Sequence, residues 1–285
     1  MSDSSNPGPS RSAGLRHAVS QIALWLVAAL FLVPLVYMVG ASLKEPDEIF
    51  SVPPTIFGSG LRWQNYAEAF NYAPFGRYLA NSLLVAALGT VLNAAVGVLA
   101  GYSFSRLRWR SRGLVFAGFL ATLMVPQEVL VVPSYVLMQQ FGWVDSYQAL
   151  ILPTAFSAFS AFMLRQFFLT VPMELDEAAR VDGAGVLRTF FSVMLPLAKP
   201  TIAVVSVFTF IGYWNAFLWP LIVVNDVSSL GTVPLGLQQF FGQQGSQWHL
   251  VMAASVISML PMILLVIALQ KHLVKGIVTS GFGGR

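Results

Sequence analysis

Six stretches of the chain, Ile22–Ala41, Tyr78–Ser103, Gly113–Tyr135, Ser146–Phe168, Pro200–Val224 and Leu250–Val274, are apolar on every side and free of long polar interruptions. Each reaches the ~20 residues that a helix needs to cross a bilayer. Glu128 and Arg165 are the only Asp, Glu, Lys or Arg in them before Lys271 near the end of the last. Strands of a membrane barrel would alternate apolar and polar residues, and these runs do not. Composition agrees. Of the 285 residues 56% are hydrophobic and 10% charged, against about 25% charged in a soluble domain. The expectation is an all-α membrane protein with six transmembrane helices.

Orientation follows from Lys and Arg, which gather in cytoplasmic loops. With the N-terminus inside, thirteen of the sixteen lie on the inner side, and only Lys44, Arg62 and Arg77 lie outside. Both termini are then cytoplasmic. The run Arg106, Arg108, Arg110 and Arg112 reads either as a nucleic-acid patch or as an orientation anchor beside lipid headgroups, and its place between two apolar blocks favours the anchor. Nucleic acid is not an expected partner. Residues 1–16 read as a disordered cytoplasmic tail, poor in apolar surface. Residues 17–77 hold the first span and an outer loop, 78–274 a five-helix core, and 275–285 a second tail. The first span exceeds a signal-peptide core and is read as uncleaved, with cleavage near Gly40–Ala41 as the alternative. With no cysteine, and with His17, His249 and His272 far apart, a metal site is not expected.

The most informative loop, 170–199, contains Pro172-Met-Glu-Leu-Asp-Glu-Ala-Ala-Arg-Val-Asp-Gly-Ala184. Pro172 suits a first helical turn. Glu174, Asp176 and Glu177 would face the positive end of the helix dipole. Ala178 and Ala179 are small enough for close approach by another surface, and Gly183 can end the helix at positive φ. A second amphipathic run with Leu187, Phe190, Phe191 and Met194 stops at Leu195-Pro196. On these features alone, an ordinary amphipathic connector is as good a reading as a docking element.

The order Glu177-Ala178-Ala179, Gly183-Ala184, Leu195-Pro196 and Pro200 resembles the signature loop of permease subunits of ATP-binding-cassette importers. Tyr213-Trp214-Asn215-Ala216-Phe217-Leu218-Trp219-Pro220-Leu221 is similar to the fifth span of the carbohydrate-importer branch. So are Thr232-Val233-Pro234-Leu235-Gly236-Leu237, Met252-Ala253-Ala254-Ser255 and Leu260-Pro261. The likeness runs from about Tyr78 onward; the tail differs, ending Gly281-Phe282-Gly283-Gly284-Arg285 where that branch usually ends in a Gly-Ala-Val-Lys-Gly type sequence.

The resemblance implies a type I importer permease in a bacterial or archaeal cytoplasmic membrane. The loop would form a coupling helix seated on a cytoplasmic ATPase, with Glu177, Ala178, Ala179, Asp182, Gly183 and Ala184 at the contact. Its partners would be a second permease subunit in a heterodimer, two ATPase subunits and an extracytoplasmic solute-binding protein. The cargo would be a sugar or oligosaccharide, with glycerol-3-phosphate or a polyol as the alternative. In the maltose branch, sugar contacts can fall mainly on the partner permease.

The chain has no phosphate-binding loop, since Lys44, Lys199, Lys271 and Lys275 follow Leu, Ala, Gln and Val rather than Gly. It is not expected to be an enzyme or to bind a cofactor; ATP and magnesium belong to the partner ATPases. An ionisable group inside a span marks a pathway by default. Glu128, between Pro126 and Pro133, is therefore a candidate for the translocation path, a carboxyl near the outer water being the alternative. Asn215, Trp214 and Asn81 are further candidates, with Asn93 beside them; an interhelical hydrogen bond is the other reading of each Asn. Gln238, Gln239, Gln243 and Gln244, in the basic-free loop 225–249, are candidates for touching the binding protein, or belong to a solvated connector. A stand-alone secondary carrier would instead show more buried charge, broken helices and no docking helix. An intramembrane enzyme would need a nucleophile–base or metal constellation.

Overall fold

The structure, a computed structural model, describes residues 11–242 and 245–281, with side chains over 17–241 and 247–270. Gln243, Gln244, the start of the N-terminal tail and the end of the C-terminal tail lie outside the described residues. The chain divides into two compact units.

The first unit takes in the chain up to Ala69 together with 242–257. Helix α1 (Arg11–Ala41) begins six residues earlier than residues 1–16 as a disordered tail would allow, because a helix once nucleated extends at little cost. Its membrane-length part, His17–Ala41, buries none of its most apolar window against the rest of the chain. The segment after it is tightly folded. Lys44 is fully buried, and its ammonium donates to the Thr55 carbonyl at 2.6 Å. Asn65, in α2 (Gln64–Tyr72), donates to the carbonyls of Ser42 and Lys44. Arg62 joins Glu45 at 3.1 Å and Glu68 at 2.8 Å. Both are half-exposed pairs of small energetic weight.

The second unit takes in 70–241 and the chain from Ser258. Its centre is the long helix α3 (Phe75–Arg106), packed most extensively against α7 (Ala158–Thr170) and α11 (Lys199–Trp214). Small residues on α3 make this possible. A Cβ on Gly101 would lie 2.8 Å from the Arg165 amide nitrogen, one on Gly97 3.0 Å from the Ser160 Cβ, and one on Gly89 2.3 Å from the Tyr213 ring. Gly89, Asn93, Gly97 and Gly101 recur every fourth residue and so share a face. Gly97-Val-Leu-Ala-Gly101 is the small-xxx-small spacing that lets helix backbones approach in lipid. At the arginine-bearing end, Val98, Tyr102, Leu164, Phe168, Phe190 and Met194 form a common apolar core.

Three of the expected spans are not single helices. The third separates into α4 (Arg112–Ala121), a 3-10 turn, and α5 (Gln127–Gln140), bent by 104°. Pro126 has no N–H to give and holds Val125 extended. The fourth joins α6 (Tyr147–Ile151) and a 3-10 turn containing Pro153 to α7 at 44°. The fifth ends at Trp214 rather than Val224, because the ring of Pro220 clashes with the Ala216 carbonyl that a continuous helix would present. A short α12 (Leu218–Val223) follows. Broken helices were the mark of a secondary carrier; they occur here beside a docking-type loop, so that criterion does not discriminate. The last helix, α15 (Trp248–Gly281), continues past Val274. Helix α11 is also bent by 71° against the helical stretch 186–197 before it; with this pair, α4–α5 and α6–α7 each taken as one span, the candidate spans among the described residues number up to six.

Candidate functional site

The breaks converge. Residues beside all three of them (Gln127 and Glu128; Pro153, Thr154 and Ser157; Ala216 and Phe217) line one cavity of 480 Å³ in the second unit. Irregular backbone at membrane depth is tolerated where it lines a cavity or is buried in protein. Asn93, Ser134, Ser160, Thr209 and Tyr213 also face it. Its polar wall is thus amide and hydroxyl, with the Glu128 carboxyl as the one charged side chain.

Asn93 ties the cavity wall together. It is 1% exposed, and its Oδ1 accepts from the hydroxyls of Ser160 on α7 at 2.5 Å and Thr209 on α11 at 3.3 Å. Its amide nitrogen donates to the Thr154 carbonyl at 3.4 Å. Three helices therefore meet on one side chain. Glu128 sits in the first turn of α5, beside the backbone N–H groups that open the helix.

The remaining path candidates lie elsewhere. Asn81 donates at 2.9 Å to the carbonyls of both Ser229 and Gly231 and accepts from the Tyr147 hydroxyl at 2.7 Å, so it anchors the loop after α12. Trp214 is buried and stacked on Phe210 with ring centres 5.7 Å apart. Asn215 is exposed and closes the end of α11. None of these three lines the cavity.

The loop 225–249 is pinned at its start. Asp145, in the left-handed region at φ 60°, accepts from the backbone N–H groups of Asn225 and Asp226. The Asp226 carboxylate caps α13 (Val227–Leu230), accepting from the amides of Ser228 and Ser229. The Ser228 hydroxyl, with those bonds, holds its carboxyl below the usual carboxylate range. Gln238, at the end of α14 (Val233–Gln238), and Gln239 are exposed.

In the loop 170–199, α8 (Glu174–Val181) turns two faces. Asp176 and Ala179 are buried, whereas Glu177, Ala178, Asp182 and Gly183 are exposed and Ala184 is half-buried. Of the six residues singled out there, Ala179 thus faces its own chain. The helix ends in a Schellman motif: Ala184 N–H donates to the Ala179 carbonyl at 2.9 Å and Gly183 N–H to the Arg180 carbonyl at 3.0 Å. Gly183 has φ +76°, and a Cβ there would meet nothing within 4 Å, so the glycine is needed for conformation alone. Beyond it come α9 (Val186–Thr189), a π-helical turn over Phe190–Met194 and α10 (Leu195–Leu197). Phe190 and Met194 point into the core, while Val181, Leu187 and Phe191 stay exposed. The loop 170–199 thus carries exposed apolar side chains as well as the exposed residues of α8.

Residues 93–279 match the binding-protein-dependent transport system inner membrane component family. The sn-glycerol-3-phosphate transport system permease protein UgpE of Yersinia enterocolitica is 38% identical over 91% of this chain and 95% of its own. That of Pectobacterium atrosepticum is 38% identical over 90% and 92%. Among solved structures, a chain of a bacterial ABC transporter involved in the import of the acidic polysaccharide alginate superposes with a TM-score of 0.80. It is 22% identical, with 93% of this chain and 99% of that one covered, and so speaks for the fold. By the length and closeness of these matches the chain belongs to the binding-protein-dependent transport system inner membrane component family, and is a transport permease rather than an enzyme.

Proposed function

We propose that this chain forms half of the translocation path of an ATP-driven importer for a neutral polyhydroxylated solute, a sugar or oligosaccharide. The observation that carries the reading is the cavity where three broken spans meet. Its hydroxyl and amide wall can exchange hydrogen bonds with a polyol, and Glu128 can accept from two hydroxyls. A second permease would complete the path, and a solute-binding protein would deliver cargo from the far side, near Gln238 and Gln239. Two cytoplasmic ATPase subunits, holding ATP and magnesium, would seat the exposed face of α8. Both termini would be cytoplasmic, on the side of the arginine run.

The names of the relatives favour glycerol-3-phosphate as a second cargo. An anion would need a cation that no described residue of this cavity wall supplies, so it would come from the partner permease. Uptake of a neutral oligosaccharide and of glycerol-3-phosphate by the same vesicles separates the two.

The coupling half is tested with Glu177→Lys and Gly183→Val. Glu177 is exposed on the first turn, so its reversal costs this chain only about 0.3–1 kcal/mol through the helix dipole. Valine at positive φ costs about 1–2 kcal/mol and opens the Schellman turn. Both variants are expected to insert normally, to lose most ATPase co-purification and to stop uptake. Wild-type assembly and transport in both would overturn the reading.

A further inference from the structure

Arg106, the last residue of α3, and Asp176, on the buried face of α8, form an ion pair at 2.9 Å with side chains 4% and 7% exposed. The same guanidinium donates to the Phe168 carbonyl at 2.6 Å, to the Val171 carbonyl, and to the Met173 sulfur. Those carbonyls lie at the C-terminal end of α7, where helix carbonyls lack partners within the helix. One side chain therefore touches the end of α3, the end of α7 and the first turn of α8. Asp176 Oδ2 makes no aligned hydrogen bond, and Arg106 Nε has no partner among the described residues. Apart from the Met173 contact, the hold between the two helices thus rests on opposite charge in a buried site.

An eight-residue helix has little stability of its own. Apart from its ends, α8 presents only Asp176 and Ala179 to the body of the protein. From Arg106, α3 runs thirteen residues, about 20 Å at 1.5 Å per residue, to Asn93 at the cavity.

We propose that Arg106 is a positioning residue that makes α8 move as one body with α3 and α7, so that displacement of α8 reaches the Asn93 node instead of being absorbed in the loop. The proposal rests on α8 being the element that the ATPase moves.

The test uses Asp176→Asn, which keeps the shape and removes the charge, with Asp176→Glu as the conservative variant. A spin label on Val181, which is 87% exposed, reports the mobility of α8 in the purified permease without any ATPase. Solute taken up per ATP hydrolysed is read in vesicles holding the full importer. Asp176→Asn is expected to make the label more mobile and to lower uptake per ATP at least five-fold, with hydrolysis continuing. Asp176→Glu should recover at least half of both.

A wild-type label spectrum in Asp176→Asn overturns the proposal, and so does a loosened label with unchanged uptake per ATP. Loss of ATPase binding with an unchanged label also overturns it, because Asp176 would then touch the motor directly. Failure of the ATPase reading would appear separately, as normal assembly of Glu177→Lys and Gly183→Val.

Discussion

Replacing Gly101 by leucine is expected to leave little folded permease. The first atom added would sit 2.8 Å from both the Arg165 amide nitrogen and the Leu164 Cβ, and 3.0 Å from the Leu164 carbonyl carbon. Two of those atoms are backbone, so no side-chain rotation relieves the clash and α3 must part from α7. Overpacking of a core that can adjust costs about 1–3 kcal/mol; here the helix crossing itself gives way, and the loss should exceed about 3 kcal/mol. The gain of about 1 kcal/mol in helix propensity on removing a glycine does not offset it. Gly118→Leu is the control, since a Cβ there meets nothing within 4 Å. Thermal unfolding in detergent should show Gly118→Leu within a degree or so of wild type, about the effect of a neutral surface change, and Gly101→Leu without a cooperative transition. Equal transitions for the two would refute the role given to this crossing.

Asn93→Leu should have the second largest effect. Leucine has similar bulk but no acceptor for Ser160 and Thr209 and no donor for the Thr154 carbonyl. Single interhelical bonds in membranes average about 0.6 kcal/mol. Three partners losing one hub within a buried site bring the loss to about 2 kcal/mol, within the range for stranded polar groups. The transition should fall by several degrees, about 2–4 °C per kcal/mol. Uptake should fall more than tenfold with ATPase subunits still bound, because α3, α7 and α11 are no longer held in register at the cavity. Thr209→Val, which removes only the 3.3 Å bond, should lie between. Uptake at the wild-type rate in Asn93→Leu would remove the node from the working parts of the protein.

The six apolar blocks were legible in the sequence because lipid demands them, and the two-faced α8 with its glycine stop was legible from local rules. The bends were not. Pro126, Pro153 and Pro220 are plain in the sequence, but membrane helices tolerate proline where neighbours satisfy the freed backbone. A run apolar all round carries no phase from which a break can be read. Asn81 and Asn93 show the same limit. They are one residue type on one helix, three turns apart, yet one holds a loop and the other a cavity wall. Asp176 read as an acid at a helix start and Arg106 as part of an orientation run; their pairing across 70 positions has no local signature. The spacing Gly97-xxx-Gly101 was the one tertiary clue in plain view, and it would have pointed to the α3–α7 crossing.

The turn at Gly183 has a stereochemical consequence. Its backbone occupies the region favoured by amino acids of opposite hand, and the space where a side chain would project is open. A D-alanine placed there by chemical ligation should be accepted, and should stabilise the helix end by about 0.4–1 kcal/mol through a less free unfolded chain. L-alanine at the same position should weaken it. Opposite signs from two substituents of identical composition would show that handedness, and not size, is what this position selects.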